Sequence, residues 1–214
     1  RCCSKSRGIV LNGGLGTSMR MDRAKSLLKV KGTKSFLDLL AEHVLALRRE
    51  SGAPLPLLFM NSFATRKDTL ESLAPYPLAV PDGRGGTIPL DFEQHRFPRI
   101  RAEDGEPFGD PADAESWAPP GHGDLFASLH ASGALDALLS AGFRFAFVSN
   151  ADNLGASPDP AILGYMAEEG LEFLVEVTPR TPADVKGGAL VRRDGRLELL
   201  EIAQVPGDRL EDFQ

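Results

Sequence analysis

Cysteine is scarce in this chain of 214 residues, and its placement excludes a disulfide framework. The only two cysteines, Cys2 and Cys3, are adjacent, so they cannot cross-link distant parts of a fold. No histidine lies close enough in the sequence to complete a zinc site with them. We therefore expect a protein of a reducing compartment, the cytoplasm, without a structural metal.

Long hydrophobic runs and an excess of positive charge are also missing. No apolar run approaches the ~20 residues of a membrane-spanning helix, and the basic segment at residues 1–7 is not followed by the apolar core of a secretory signal. The formal net charge is −6, which gives no support to a nucleic-acid or membrane-surface partner. The composition is that of a soluble globular protein with neither kind of partner.

Several common catalytic signatures are absent. No Gly-Lys-Ser/Thr follows the glycine-rich loop near the N-terminus, which excludes a Walker loop, and the glycine spacing does not match the dinucleotide fingerprint. Nothing resembles a Ser-His-Asp or Cys-His triad. His43, His95 and His130 have no partner pattern, so we interpret them as structural.

Alternating helix and strand patterns dominate what is present. The predicted elements of the first half are a strand at 8–11, a helix that Ser35 caps and Gly52 ends, a strand at 55–60, and a helix at 65–73 with Thr65 as its N-cap. Helices between 123 and 142, interrupted at Gly133, and a strand at 143–149 come next. The last predicted elements are a helix at 159–169 with Pro160 in its first turn, a strand at 171–177 and a hairpin at 189–202 around Asp194-Gly195. The continuous apolar runs at 55–60 and 143–149 predict strands buried on both faces. Strands that alternate with helices predict an α/β fold with a mostly parallel sheet.

The regular pattern stops between residues 75 and 120. This stretch is rich in proline, glycine, aspartate and arginine, and only residues 91–97 have the pattern of a strand. Connections of this length usually have a function of their own. We expect an inserted flap over a site, loosest at residues 102–115.

Residues 11–19, Leu-Asn-Gly-Gly-Leu-Gly-Thr-Ser-Met, form the most distinctive motif. Glycines let backbone N–H groups approach a ligand with no Cβ in the way, as a nucleotide-binding turn requires, although a tight surface turn has the same composition. Two further polar stretches, at 61–62 and 150–153, also follow predicted strands. In a parallel sheet all three would meet at the carboxyl edge, where ligands bind.

Seven blocks occur in an order that carries a family resemblance. They are Leu11-Asn12-Gly13-Gly14-Leu15-Gly16-Thr17-Ser18-Met19, Ala24-Lys25-Ser26, Met60-Asn61-Ser62-Phe63, Pro119-Pro120-Gly121-His122-Gly123-Asp124, Ser149-Asn150-Ala151-Asp152-Asn153-Leu154-Gly155, Asp184-Val185-Lys186-Gly187-Gly188 and Glu201-Ile202-Ala203-Gln204-Val205-Pro206. Together they resemble the UTP–glucose-1-phosphate uridylyltransferases, also called UDP-glucose pyrophosphorylases, from residue 9 to about residue 214.

This resemblance implies a fold and a reaction. The fold would be a Rossmann-like, three-layer nucleotidyltransferase domain with a mostly parallel mixed sheet. Residues 1–7 would be an N-terminal extension, and residues 8–214 a partial catalytic domain that includes the flap at 75–120. The substrates would be UTP and glucose 1-phosphate, the products UDP-glucose and pyrophosphate, and the cofactor Mg²⁺.

The resemblance also assigns roles to individual residues. Lys25 would face the phosphates, and Asp152 would bind Mg²⁺ with a hard carboxylate oxygen. The candidates for nucleotide binding are Leu11, Asn12, Gly13, Gly14, Gln94, Gly121 and Asn150, of which Gln94 would pair its amide with the uracil edge. The candidates for sugar-phosphate binding are His122, Lys186, Gly187 and Gly188.

Without the resemblance, each of these residues also fits an interpretation in which it binds no ligand. Lys25 is also typical of a solvated surface lysine, and Asp152 of an Asx turn that caps a strand end. Gln94 fits a solvated flap residue, His122 a turn histidine without a role, and residues 186–188 a plain turn into the hairpin.

The sequence also departs from the family pattern. Arg20 stands where the glycine loop usually continues with glycine, and Ala64 stands where asparagine is usual. Family members are much longer and continue into a further phosphate-binding lysine and a C-terminal β-helix domain. We therefore expect a fragment with weak or no activity, which forms homo-oligomers only as part of a full-length enzyme. The alternatives are a non-catalytic nucleotide-binding remnant and a uridylyltransferase for another sugar 1-phosphate.

Overall fold

The computed structural model describes residues 6–14, 23–179, 181 and 188–213. The chain divides into two compact units, Arg1–Leu171 and Glu172–Gln214. The first unit contains the larger sheet and the helices that cover it.

The described elements of the first unit alternate between strands and helices. In chain order they are β1 (Ser6–Asn12), β2 (Lys29–Lys31), β3 (Lys34–Ser35), α1 (Phe36–Ser51), β4 (Leu57–Asn61), α2 (Arg66–Leu73), β5 (Asp91–Glu93), β6 (Phe97–Pro98), β7 (Trp117–Ala118), α3 (Leu125–Ala131), α4 (Ala134–Ser140), β8 (Phe145–Asn150) and α5 (Pro160–Glu169). Short 3₁₀ helices lie at Lys25–Leu27, Ala114–Ser116 and His122–Asp124.

Four strands form the main sheet in the order β5-β4-β1-β8, and every pairing between them is parallel. The two central strands are in register from Gly8 opposite Leu57 to Asn12 opposite Asn61. All five residues of β4 are buried, which confirms the strand predicted to be covered on both faces.

Successive residues of the central strands face opposite sides of the sheet, and each side has its own core. One core contains Ile9, Leu58 and Met60 with Leu125 and Leu129 of α3 and Leu138 of α4. The other contains Val10, Leu57 and Phe59 with Leu37, Leu40 and Ala41 of α1 and Leu73 of α2. Helices therefore cover both faces of a parallel sheet, and the predicted three-layer α/β architecture is confirmed.

The ends of α1 follow from local sequence chemistry. The Ser35 hydroxyl accepts the Asp38 N–H at 3.3 Å, and the Asp38 carboxylate accepts the Ser35 N–H at 2.7 Å, which makes a complete capping box. Gly52 ends the helix in the left-handed region, with φ +66°. Both predicted ends are confirmed.

One prediction of local detail in the first unit is confirmed and one is wrong. Thr65 is the N-cap residue of α2, as predicted, although its hydroxyl accepts the Ser62 N–H at 3.0 Å and makes no capping hydrogen bond. β8 begins at Phe145 and alternates between half-buried and exposed residues, so it is not buried on both faces. The reason is its position, since β8 is the edge strand of the described sheet and α5 contributes no buried residue.

The stretch at 75–120 contributes strands of two kinds. β5, the start of the strand predicted at 91–97, joins the main sheet beside β4. β6 pairs antiparallel with β7 as a separate two-stranded sheet. That this stretch acts as a flap stays a prediction.

The described residues of the second unit include an antiparallel hairpin, β9 (Ala189–Arg193) with β10 (Arg196–Leu200). Its turn residues Asp194 and Gly195 both have positive φ, at 49° and 81°, as the predicted two-residue turn requires. The strand predicted at 171–177 does not form, and Phe173 is 73% exposed. An apolar run becomes a strand only where another strand pairs with it, and none of the described residues does so here.

No helix within the described ranges has both the length and the apolar character needed to cross a membrane.

Candidate nucleotide-binding site

Polar residues end neighbouring strands at one edge of the main sheet. Asn12 at the end of β1 lies opposite Asn61 at the end of β4, and Asn61 lies opposite Glu93 at the end of β5. On the other side of β1, Leu11 is paired with Asn150, the last residue of β8. The carboxyl ends of parallel strands are where such sheets bind ligands. The sequence predicted this convergence, and the structure brings the stretches together.

Asn12 connects these strand ends from inside the protein. Its side chain is buried, and its Nδ2 donates to Asn61 Oδ1 and to Thr69 Oγ1, each at 2.8 Å. Asn61 in turn donates to Asp91 Oδ2 at 3.4 Å. Both amide hydrogens of Asn12 are therefore committed to the protein, so its side chain braces the edge on which a ligand would lie.

Arg66 completes this network at the surface. Its Nε donates to Asp91 Oδ2 at 2.6 Å, and this hydrogen bond to a carboxylate raises the pKa of the Arg66 guanidinium. Thr69 and Arg66 both belong to α2, so this helix is bonded to the carboxyl end of β1 and to the first residue of β5.

Gly13 and Gly14 continue the chain after β1 next to this edge, and Gly13 is buried whereas Gly14 is exposed. The Ser62 hydroxyl donates to the Gly13 carbonyl at 3.0 Å, and the Lys25 N–H donates to the Gly14 carbonyl at 3.2 Å. A Cβ on Gly13 would overlap the side-chain amide of Gln94, whereas a Cβ on Gly14 would meet no atom within 4 Å. Glycine at position 13 is therefore required by the close approach of Gln94.

Gln94 lies between the glycine loop and the Pro-Pro-Gly-His-Gly-Asp block. It is 3% exposed, and its backbone N–H donates to the Asn61 carbonyl at 2.8 Å. Its side-chain Oε1 accepts the Gly121 N–H at 3.3 Å. Gly121 has φ +99°, a conformation that residues with a Cβ rarely adopt. The structure thus brings three nucleotide-binding candidates, Gly13, Gln94 and Gly121, into direct contact.

A cavity of about 360 Å³ opens beside Gly13 and Gly14. It is lined by Gly13, Gly14, Ser62, Phe63, Ala64, Arg99, Ala114, Glu115, Trp117 and Pro119. Two aromatic side chains, a proline and bare glycine backbone give walls that suit a flat heteroaromatic ring, and the volume lies in the range of small-molecule pockets.

Trp117 is a wall of this cavity that sequence reasoning missed. Its indole Nε1 donates to the Pro111 carbonyl at 2.9 Å, and the Arg96 guanidinium lies 4.9 Å from the ring centroid. The ring is therefore held in one orientation. The only available signal was that the chain's single tryptophan lies just before the Pro-Pro-Gly-His-Gly-Asp block.

Lys25 and Asp152 form an ion pair across the carboxyl edge. Lys25 Nζ lies 2.5 Å from Asp152 Oδ2, and the two side chains are 44% and 35% exposed. Lys25 lies in the 3₁₀ helix that follows the glycine loop, and Asp152 follows β8. This pair places one cation and one anion within reach of a ligand at the edge.

The donor set at Asp152 fits only one type of metal binding. Among the described residues, no three acidic, histidine or cysteine side chains come together to hold a metal ion. Mg²⁺ characteristically takes one or two carboxylates and completes its shell with water and substrate phosphates. Asp152 therefore fits an ion held mainly by a bound triphosphate, and does not fit an all-protein metal site.

His122 and Asn150 lie at the same edge, and both are exposed. The Asn150 carbonyl accepts the Asn153 N–H at 3.1 Å, which turns the chain after β8. His122 begins the 3₁₀ helix His122–Asp124 directly after Gly121.

His95, which we interpreted as structural, has a partner that the sequence pattern did not reveal. Its Nδ1 lies 2.8 Å from Asp124 Oδ1, and its backbone N–H donates to Asp124 Oδ2 at 2.7 Å. The two residues are 29 positions apart, and the sequence between them carries no periodic signal that would relate them.

The remaining candidates are not placed together with this edge. Lys186, Gly187 and the loop position Arg20 lie outside the described residues. Gly188 belongs to the second unit, where a Cβ on it would come within 2.9 Å of Leu199 Cδ1.

Residues 2–214 match the model of one family, UTP–glucose-1-phosphate uridylyltransferase. The chain belongs to this family. Among relatives, it is 46% identical over 216 residues to the Saccharomyces cerevisiae UTP–glucose-1-phosphate uridylyltransferase, covering 99% of this chain and 42% of the yeast protein. It is 44% identical over 206 residues to the Solanum tuberosum enzyme, covering 95% and 42%.

Solved structures of the family have the same fold. The UDP-glucose phosphorylase of Trypanosoma brucei superposes with a TM-score of 0.89 at 40% identity, covering all of this chain and 46% of that one. A mutant UDP-glucose pyrophosphorylase of Leishmania major in complex with UDP-glucose gives a TM-score of 0.85 at 39% identity, covering 100% and 47%. The chain spans less than half the length of these relatives.

Proposed function

We propose that this chain forms the nucleotide-binding part of an enzyme that transfers a uridylyl group from UTP to glucose 1-phosphate, giving UDP-glucose and pyrophosphate. The contact of Gly13, Gln94 and Gly121 beside the cavity carries the proposal, because it joins candidates from two of the sequence blocks with Gln94 of the stretch at 75–120. Family membership supports the identity of the reaction.

The uracil base occupies the cavity beside the glycines in this proposal. Its flat faces lie against the glycine backbone and aromatic walls. Its polar edge meets the amide of Gln94, which is not a lining residue itself but lies against Gly13, which is. An amide can accept from N3–H and donate to O4 of uracil at the same time. The backbone of Leu11 and Asn12 positions the glycines for this contact.

The phosphates lie over Lys25, which supplies positive charge next to the backbone of Gly14. The family's chemistry generally uses a divalent metal, and we propose Mg²⁺, with Asp152 as its protein ligand. Bound there, Mg²⁺ would neutralise phosphate charge. The Lys25 ammonium cannot coordinate a metal ion. Lys25 and Asp152 would therefore separate from each other when Lys25 binds the phosphates and Asp152 binds the metal.

The transfer itself requires positioning more than side-chain chemistry. A phosphate oxygen of glucose 1-phosphate attacks the α-phosphorus of UTP in line, the bond to the bridging oxygen breaks, and pyrophosphate leaves with that oxygen's electrons. Lys25 stabilises the charge that develops on the phosphates. His122 and residues 186–188 hold the sugar phosphate, Asn150 contacts the nucleotide, and no covalent enzyme intermediate forms.

The same proposal places the protein in the cytoplasm and gives it small-molecule substrates only. The adjacent cysteines and the net charge of −6 support these assignments. Any homo-oligomer would belong to a protein of the relatives' length.

Calorimetric titration with UTP and with uridine tests the phosphate assignment. We expect Lys25→Met to weaken UTP binding about tenfold, by loss of one charged contact, and to leave uridine binding unchanged. Lys34→Met is the matched control, since Lys34 is similarly exposed and pairs with Glu42 away from the edge. Equal UTP affinity in wild type and Lys25→Met would contradict the role of Lys25.

Turnover distinguishes an enzyme from a binding module. UDP-glucose formation from UTP, glucose 1-phosphate and Mg²⁺ is measured for this chain and for a chain extended to the relatives' length. We expect weak or no turnover in the former and ordinary turnover in the latter. Binding without turnover in both chains would instead favour the second candidate, a non-catalytic nucleotide-binding protein.

A further inference from the structure

A closed ring of bonds surrounds the side-chain amide of Gln94. The backbone N–H of His95, the next residue, donates to Asp124 Oδ2 at 2.7 Å. The N–H of Asp124 donates to the Gly121 carbonyl at 3.2 Å, and the N–H of Gly121 donates to Gln94 Oε1 at 3.3 Å. The peptide bond between Gln94 and His95 closes the ring. Asp124 therefore contacts both the residue after Gln94 and the residue that holds its amide oxygen.

Asp124 is well fixed for this purpose. Its side chain is 9% exposed, and its second carboxylate oxygen lies 2.8 Å from Nδ1 of His95. Its backbone carbonyl accepts the Ser128 hydroxyl of α3 at 2.7 Å. Hydrogen bonds to a carboxylate are stronger than those between neutral groups. The bonds to His95 and to Ser128 therefore fix the position of Asp124 relative to α3.

The ring determines which way the Gln94 amide points. An amide oxygen only accepts hydrogen bonds, whereas the amide nitrogen only donates them. A backbone N–H such as that of Gly121 only donates, so it selects the orientation that presents Oε1. The oxygen keeps a second lone pair, and no hydrogen bond among the described residues uses Nε2.

This orientation distinguishes the two pyrimidines. Uracil presents a donor at N3 and an acceptor at O4, which match the free lone pair of Oε1 and the hydrogens of Nε2. Cytosine presents an acceptor at N3 and a donor at N4, which require the amide to be rotated by half a turn. The rotated amide would place Nε2 against the N–H of Gly121, so two donors would face each other.

We propose that Asp124 is a positioning residue that fixes the amide of Gln94 through Gly121 and His95, and that it thereby makes the site prefer uridine over cytidine nucleotides. The inference rests on the proposed binding of the base at Gln94. It adds a residue that does not touch the base but sets the base preference.

The test is calorimetric titration of the 214-residue chain with UTP and with CTP. For wild type we expect UTP to bind more tightly than CTP. Asp124→Ala removes both bonds to His95, and we expect it to lower the ratio of the two affinities about tenfold. Asp124→Asn keeps one acceptor oxygen but loses the charge, so we expect a fall of about threefold.

Asp104→Ala is the matched control, because Asp104 also bonds both a side chain, that of Arg101, and a backbone N–H, that of Glu106. Asp104 has no contact with Gln94 among the hydrogen bonds described, so the base preference of the Asp104→Ala variant should equal that of wild type. The base preference is a ratio of two affinities, so a general loss of folded protein does not change it. Thermal unfolding of each variant measures that loss.

The outcomes separate this inference from the proposed function. If wild type binds neither nucleotide, both are wrong. If wild type prefers UTP and Asp124→Ala keeps that preference, the proposed function stands and the positioning role is overturned. If Asp124→Ala does not fold, Asp124→Asn decides alone, and a preference equal to that of wild type overturns the role.

Discussion

At the scale of single residues, the site depends on which atoms are already committed inside the protein. Asn12 looks like a ligand-binding residue in the sequence, but both its amide hydrogens bond Asn61 and Thr69. Gln94 is equally buried, yet its Nε2 keeps no partner among the described residues. The amide hydrogens of Gln94 are therefore still available to a ligand, whereas those of Asn12 are not.

Gly13 gives a sharp test of this arrangement. Gly13→Ala would place a methyl group on the Gln94 amide, so we expect it to displace that side chain, weaken UTP binding about tenfold or more and destabilise the fold by about 1–3 kcal/mol. Gly14→Ala is the control, because its Cβ would meet nothing within 4 Å. Binding is measured by calorimetry and stability by urea unfolding.

If Gly13→Ala binds UTP as wild type does, Gln94 does not contribute to the site as described. If the two alanine variants weaken binding equally, the effect belongs to the loop in general and not to the Gly13–Gln94 contact.

At the scale of elements, the start of α1 joins local and distant interactions. Asp38, the third residue of the helix, accepts from Ser35 and also from the Tyr76 hydroxyl at 2.8 Å. Burial pushes the pKa of the Asp38 carboxyl up, but the hydrogen bonds from Ser35 and Tyr76 and the charge of Lys34 outweigh it and lower the pKa. Burial, together with the bond to Asp38 and its charge, raises the pKa of Tyr76 to about 12.

These shifts predict how stability varies with pH. The raised pKa of Tyr76 contributes stability that is complete below its unfolded pKa of 10.0 and is lost as the pH rises toward about 12. The lowered pKa of Asp38 contributes stability that is present above 3.8 and is lost as the pH falls through the folded-state value. We expect Tyr76→Phe to flatten the decline of the melting temperature between pH 10 and 12.

Tyr165→Phe is the control for this measurement, because the chain has only two tyrosines and Tyr165 is more than half exposed. It should keep the alkaline decline of wild type. A decline that is equally steep in wild type and Tyr76→Phe would show that the bond to Asp38 does not survive in solution.

The elements also show what the sequence can and cannot predict. α1 was predictable because its cap, its apolar spacing and its terminal glycine are all local. The apolar run at 171–177 was misread because a strand depends on a partner that the run itself does not encode. The same holds for His95 with Asp124 and for Trp117 at the cavity, since these contacts join residues that only the fold brings together.

At the scale of the whole molecule, the two units differ in how they bury apolar residues. The first unit has a core on each face of a parallel sheet, and β4 is buried at every position. In the second unit, the described hairpin leaves Leu190, Leu197 and Leu199 more than half exposed. A two-stranded hairpin on its own is marginally stable in water.

Hydrogen exchange measured by mass spectrometry should therefore give different amide exchange rates in the two units. Amides of β1 and β4 should exchange only through global unfolding, whereas those of β9 and β10 should open locally and exchange at least about a hundredfold faster. The short pair of β2 and β3, exposed along most of its length, is the internal control for a small sheet within the first unit and should also exchange fast. Equal protection of β4 and the β9–β10 hairpin would mean that other residues cover the exposed leucines in solution.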